Sequence, residues 1–380
     1  MTRPARDFPV VSAAIEDPAI RALFTERFLA ATEIYDELVD AACWKLLGDL
    51  GALPSPREER REEEVLAEHP VHTRPALAYM IEKLADAGYL LRRVSGLSAA
   101  GHAPASVESL AAALAAAEPD AAVGAEIVSL LADEGAAFFR GEKTGEEILF
   151  SPARLPLWIR YFSNANILYA INNTLGAEAL ARALPDAASV LEIGGGCGSA
   201  AEAALTRLGT RVARWRFTEL VPTFARRGER AARAAASPGT IVEAGRLDMT
   251  RPWEPQGVAP GSFDAVYSVN CFHVAPDLGF VLREAKAALR PGGVVAVSEC
   301  VKPGAHPPPS YVDFVFDFLA SFTQVATDPV LRPNHGFLSP AAWRASFAEA
   351  GFRDVTVLPD VDAVAAQFPR FFVGAVVARR

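Results

Sequence analysis

Apolar residues in the first third of the chain recur at helical steps. Phe28, Ile34, Leu38, Val39, Ala42, Leu46 and Leu47 form one stripe, and Gly48, Gly51 and Pro54 end it. A second helix is expected from Thr73, its N-cap, through Leu77, Met80, Ile81 and Leu84 to a stop at Gly88; Tyr89-Leu90-Leu91 then begins a short strand. The charged stretch Arg57 to Glu64 reads as a solvated face. From about residue 186 the period changes. SVLEIGGG, RWRFTEL, TIVEAGRLD, FDAVYSVN and VVAVSEC are short apolar runs, separated by helical stretches such as AAEAALTRL and DLGFVLREAKAALRPGG. Strands alternating with helices predict a parallel sheet with helices on both faces. AAWRASFAEAGF then reads as a helix, and DVTVLP and FFVGAVVA as a closing pair of strands at the sheet's edge. The expected class is α/β, divided into a mainly helical region at 1–150, connecting helices at 151–185 and a sheet domain at 186–380. An aromatic, proline-punctuated insertion lies at about 303–338.

Composition narrows the partners. With a net charge of −9, the chain lacks the clustered Lys and Arg that displace counterions from a nucleic-acid backbone. No run approaches a membrane span, and MTRPARDFPV lacks a signal peptide's apolar core, so a cytoplasmic protein is expected. The four cysteines, Cys43, Cys197, Cys271 and Cys300, stand apart, without metal-finger spacing. The helix, turn, helix and short strand at the front resemble a winged-helix module. Its helix from Thr73 carries Arg74 and Lys83 but also Glu82 and Asp86, which favours dimerisation or a pocket wall over DNA binding.

In a doubly wound sheet, ligands bind beyond the carboxyl ends of the strands where strand order reverses. Glu192-Ile193-Gly194-Gly195-Gly196-Cys197-Gly198 falls at such a strand end, and its glycines let a ligand approach the backbone. By itself this loop also suits nicotinamide- and flavin-binding folds. Glu219 closes the next strand, where a ribose-binding carboxylate belongs, and Asp248 follows where the third strand should end. The ordered set E-x-G-x-G-x-G, Glu219 and Asp248 resembles the class I S-adenosylmethionine-dependent methyltransferases, over roughly the last 200 residues. The resemblance implies a Rossmann-like, mostly parallel sheet with an antiparallel last strand, and S-adenosylmethionine as cofactor. Glu192 leads the motif; Gly194, Gly196 and Gly198 would approach the amino-acid part, Glu219 the ribose, Asp248 and Met249 the adenine, and Asn270 the methionine portion.

A sulfonium methyl is already activated, so the enzyme chiefly aligns the acceptor and removes its proton. His273 stands three residues past Asn270 in SVNCFHVAPD, and an imidazole with an ordinary pKa of about 6.5 suits that base. Glu299 ends the adjacent strand in VSEC and can hold the imidazole's tautomer. The stretch from QGVAPGSFDAVYSVNCFHVAPDL to ALRPGGVVAVSE is similar to polyketide-synthase C-methyltransferase domains. That resemblance implies a His273–Glu299 dyad enolising a β-ketoacyl thioester. Phe272, Val274 and Ala275 replace that family's usual loop neighbours.

The winged-helix-like front instead resembles small-molecule O-methyltransferases, which dimerise through it. The expected function is therefore methyl transfer in natural-product biosynthesis, to an enolisable carbon of a polyketide-like or keto-acid small molecule, free or tethered to a carrier. A homodimer without nucleic-acid or membrane partners is expected. O-methylation of a hydroxyl or carboxylate stays open, as does a cofactor-sensing DNA-binding regulator. No metal site is expected. Tyr161, Asn164 and Asn166 from the helical half, with Tyr311, Phe314, Phe318, Phe322 and His335 from the insertion, are candidates for the acceptor pocket.

Overall fold

The computed structural model describes residues 15–56, 59–304, 307–370 and 372–380. Thr25 caps the long helix α1 (Glu26–Asp49), its side chain accepting from Phe28 N at 3.2 Å. Helix α2 (Arg74–Asp86) packs on α1 and leads into the antiparallel hairpin β1 (Leu90–Arg93) and β2 (Gly96–Ala99). Thr73 precedes α2 without capping it, because its hydroxyl donates to Pro70 O at 2.9 Å. The Ala-rich stretch that follows forms α3 (Val107–Ala117) and α4 (Ala122–Glu134), which close over α1.

Inside this helical layer lies a charged cluster. Lys83, fully buried, reaches Asp36 at 2.8 Å and Asp40 at 2.7 Å, and Arg370 from near the C-terminus reaches Asp36 at 3.0 Å. Removing one member of such a network leaves an uncompensated buried charge. The cluster therefore ties the last segment of the chain to α1.

The helix α5 (Leu155–Tyr161) and the longer α6 (Ile167–Ala183) follow, α6 lying across the sheet against β6, β7 and β9. The sheet strands are β3 (Ala188–Ile193), β4 (Val212–Thr218), β5 (Ile241–Gly245), β6 (Phe263–Val269), β7 (Leu289–Cys300), β8 (Arg353–Leu358) and β9 (Val373–Arg379). Helices α7 (Ser199–Leu208), α8 (Pro222–Ala235), α9 (Leu278–Ala288) and α10 (Pro340–Glu349) intervene.

The seven strands run in the order β5-β4-β3-β6-β7-β9-β8, with β9 antiparallel to both neighbours and the pairs from β5 to β7 parallel. This is the Rossmann-like sheet. Strand order reverses between β3 and β6, so the loops after these two strands face one crevice. The insertion between β7 and α10 folds back onto the helical layer: Tyr311 packs edge-on against Tyr35, and Phe318 against Phe138 and Phe139. Among the described residues no helix is long and apolar enough to cross a membrane.

Candidate active site

The glycine loop leaves β3 with left-handed backbone at Gly194 (φ 66°), Gly196 (φ 54°) and Gly198 (φ 88°). A Cβ on Gly194 would lie 2.2 Å from Cys271 Sγ, so the loops after β3 and β6 touch at this point. Around Gly196 the same construction meets nothing within 4 Å, leaving open space over the loop. Glu219, at the end of β4, turns toward the loop. Its Oε2 accepts from Gly196 N and its Oε1 from Val221 N, each at 2.8 Å, which leaves lone pairs on both oxygens.

Asp248 accepts from the hydroxyl and amide of Thr250 at 2.6 and 3.0 Å, and these bonds hold its carboxyl below the usual carboxylate range. Met249 meets Cys271 sulfur to sulfur at 3.7 Å. Asn270, just past β6, has φ 48°; its backbone N–H donates to Ser298 O at 2.8 Å, while its side-chain Oδ1 is buried without a partner. The open space over Gly196 and the orphaned Oδ1 of Asn270 fit a polar ligand lying along the crevice.

Glu192 stands apart from this cradle, contrary to its expected place among the cofactor contacts. It is 1% exposed, and Trp215 Nε1 donates to its Oε2 at 2.8 Å; burial pushes its pKa up to about 8. The alternation of side chains along β3 turns it into the layer beside β4, where it ties the two strands together.

Below the cradle, the loop after β6 makes a single 3₁₀ turn, Phe272–Val274, carrying His273. His273 Nδ1 lies 2.6 Å from Glu299 Oε2. Glu299 is fully buried, and its Oε1 accepts from Cys271 N at 3.1 Å and Phe272 N at 2.9 Å. A carboxylate so engaged accepts Nδ1–H, which fixes the imidazole's tautomer and leaves Nε2 unprotonated. Arg332 secures the turn from the other side, its guanidinium donating to the carbonyls of His273 and Ala275. Burial lowers the Arg332 pKa to about 10, so it remains a cation at neutral pH. The rings of Phe337 and Phe322 pack on the imidazole with centroids at 4.6 and 5.7 Å.

His273 opens into a largely apolar cavity of about 130 Å³ between the sheet, the helical layer and the insertion. Tyr161 and Tyr311 line it, together with Asn270. The other acceptor candidates do not. Asn164 is spent on Ser199 O and Glu202, both at 2.9 Å, and Asn166 caps α6 while donating to Tyr161 O at 2.9 Å. Phe314 and Phe318 are packed in the core shared by the insertion and helices, where apolar burial outweighs exposure to a pocket. Phe322 backs His273 from outside the cavity. His335 sits beyond it in a separate polar cleft with Lys302 and Asn334, bonded to Asp317 at 3.1 Å.

Sequence reasoning missed Tyr35, Tyr169, Asn172, Cys300 and Phe337 in the cavity wall. Tyr169 and Asn172, three apart in ILYAINNTLG, share a helix face, and that spacing was the available signal.

A profile described as a methyltransferase domain matches residues 191–295. The chain is 28% identical over 176 residues to polyketide synthase ThaQ of Burkholderia thailandensis, a match covering 46% of this chain but 8% of the synthase. Among solved structures, the CurJ carbon methyltransferase superposes with TM-score 0.77 at 19% identity, covering 98% of this chain and 96% of that one. The trans-methyltransferase CalH in complex with SAH superposes with TM-score 0.63 at 20% identity, covering 92% and 91%. Residues 191–295 thus match a methyltransferase domain, and the whole chain shares the fold of these two solved methyltransferases.

Proposed function

We propose that this enzyme methylates an enolisable carbon of a polyketide-like β-ketoacyl or keto-acid acceptor, presented free or on a carrier. The observation that carries the reading is the 2.6 Å contact between His273 Nδ1 and buried Glu299, which leaves Nε2 as the ring nitrogen available to the apolar cavity. His273 Nε2 takes the proton from the carbon between two carbonyls, and the C–H electron pair moves onto a carbonyl oxygen as the enolate. Glu299 balances the imidazolium that results. Gly194, Gly196, Gly198, Glu219, Asp248, Met249 and Asn270 would hold the S-adenosylmethionine cofactor, which would supply an electrophilic methyl on its sulfonium to the enolate carbon, the sulfur keeping the electron pair of the broken carbon–sulfur bond.

The apolar wall keeps water from the enolate and suits an acyl chain better than a charged acid. The likeness to a polyketide synthase and to a carbon methyltransferase supports the same substrate class. The test is incubation with acetoacetyl-N-acetylcysteamine and isotopically labelled cofactor, followed by mass spectrometry and NMR of the product. Label on C2 is expected. Label on oxygen would replace this reading by O-methylation.

A further inference from the structure

The carboxamide of Asn172 lies in the wall of the His273 cavity with almost nothing to bond. The residue is 2% exposed; its Oδ1 has no partner, and its Nδ2 donates only to Cys300 Sγ at 3.9 Å. Sulfur is a weak acceptor, and burial pushes the Cys300 thiol pKa up, so it stays neutral. Asn173 and Asn270 also leave Oδ1 without a partner, whereas two other amides nearby are satisfied. Asn166 uses both ends, donating to Tyr161 O and accepting from Leu168 N, and Asn164 bonds Ser199, Glu202 and Asn173.

The same wall carries Leu168, Val274, Val312, Leu319 and Val373 beside Tyr35, Tyr161, Tyr169 and Tyr311, and an aliphatic side chain at position 172 would pack there without leaving a polar atom unsatisfied. A buried amide facing such a cavity is satisfied when a ligand brings the missing partner. Nδ2 carries a second N–H beyond the one turned to Cys300 Sγ, and removal of the acceptor's proton creates a partner for it, because the negative charge appears on the oxygen of a carbonyl next to the reacting carbon. A preset N–H donor acts most strongly on such charge in a site that excludes water.

We propose that Asn172 is a further catalytic residue, its Nδ2–H donating to the acceptor's carbonyl oxygen and stabilising the enolate formed when His273 takes the proton. The α C–H bond breaks, its proton passes to His273 Nε2, and its electron pair ends on the oxygen held by Asn172. This assignment rests on the enolising reading given above.

The test is deuterium exchange at C2 of acetoacetyl-N-acetylcysteamine in D2O, above the buffer rate, alongside methyl transfer by the full chain. Asn172→Ala is expected to lower both rates by about 10²–10³-fold, with S-adenosylhomocysteine binding unchanged by calorimetry. Asn172→Asp keeps the size but sets a carboxylate against the enolate oxygen, so it is expected to fall at least as far as Ala; a packing role predicts the reverse order. Either variant within threefold of wild type, or Asp more active than Ala, overturns the assignment to Asn172 while His273→Ala remains inactive. Failure of the wild type to accelerate exchange, or an active His273→Ala, would instead remove the enolising reading and this inference with it.

Discussion

Replacing Glu299 by Gln keeps the volume of a fully buried side chain and changes only its charge and donors. Oε1 now accepts from Cys271 N at 3.1 Å and Phe272 N at 2.9 Å, while Oε2 accepts from His273 Nδ1 at 2.6 Å. If the amide oxygen keeps the two backbone donors, its NH2 meets His273 Nδ1, which must then accept; the ring proton moves to Nε2, and no base faces the cavity. If the amide turns over, its NH2 is driven against two backbone N–H groups, a conflict of donors in a buried site. The first arrangement costs less, so the variant should hold the wrong tautomer.

The comparable change in a carboxylate-supported histidine lowers turnover about 10⁴-fold, equivalent to roughly 5 kcal/mol in the barrier. Folding should suffer less, by about 1.5–3 kcal/mol for a hydrogen bond that loses its charge. Methyl transfer to acetoacetyl-N-acetylcysteamine under saturating cofactor measures the first quantity and thermal unfolding the second. Turnover within tenfold of wild type, with cofactor affinity intact, would refute the tautomer argument.

Glu219→Ala removes the acceptor for Gly196 N and Val221 N and the carboxylate assigned to the ribose; cofactor binding should weaken by roughly 1–3 kcal/mol, and calorimetry showing equal affinity would remove the ribose assignment. At Gly228, where α8 crosses the glycine loop, a Cβ would lie 2.2 Å from the Phe217 ring and 2.7 Å from Gly196 O. Gly228→Ala should therefore cost about 1–3 kcal/mol and loosen cofactor binding, a change in melting temperature and in calorimetric affinity that a wild-type-like variant would contradict. Burial raises the Glu192 pKa to about 8, so in the fold it stays protonated where an unfolded chain has already ionised. The unfolded state then binds fewer protons, and this group makes stability fall as pH rises between its unfolded value and about 8, by on the order of 1.4 kcal/mol per pH unit. Glu192→Gln should flatten that slope in melts taken between pH 5.5 and 8, and parallel slopes would show that Glu192 is ionised in the native state.

The sheet was legible because SVLEIGGG, FDAVYSVN and VVAVSEC are mostly apolar runs punctuated by turns, and the burial of β3, β6 and the end of β7 on both faces imposes that pattern. The glycine loop and Glu219 could be located for a similar local reason: backbone that must adopt positive φ selects glycine, and strand ends face the crevice. The meeting of His273 and Glu299 also followed from the chain, since β6 and β7 are parallel neighbours and both residues lie at or just past their carboxyl ends. The acceptor wall was legible only in part. Phe314, Phe318 and Phe322 have the composition of a pocket, but an aromatic side chain gains as much from a core, and periodicity does not separate the two.

What decides the matter is how the insertion docks, and that depends on contacts far apart in sequence. Tyr311 enters the cavity because Tyr35 of α1 and Phe372 flank it, with ring centroids at 5.2 and 5.9 Å. Phe372 in turn is two residues from Arg370, which the buried Asp36 and Lys83 cluster holds against α1. A charge network in the helical layer thus sets one wall of a cavity whose base comes from the opposite end of the fold. The network's distance from His273 in sequence hides the connection, and its burial enforces it: Asp36 and Lys83 cannot part from Arg370 without leaving a charge unpaired in the core. The helical layer accordingly supplies one wall of the cavity beside His273, joined to the sheet through Arg370 and Phe372.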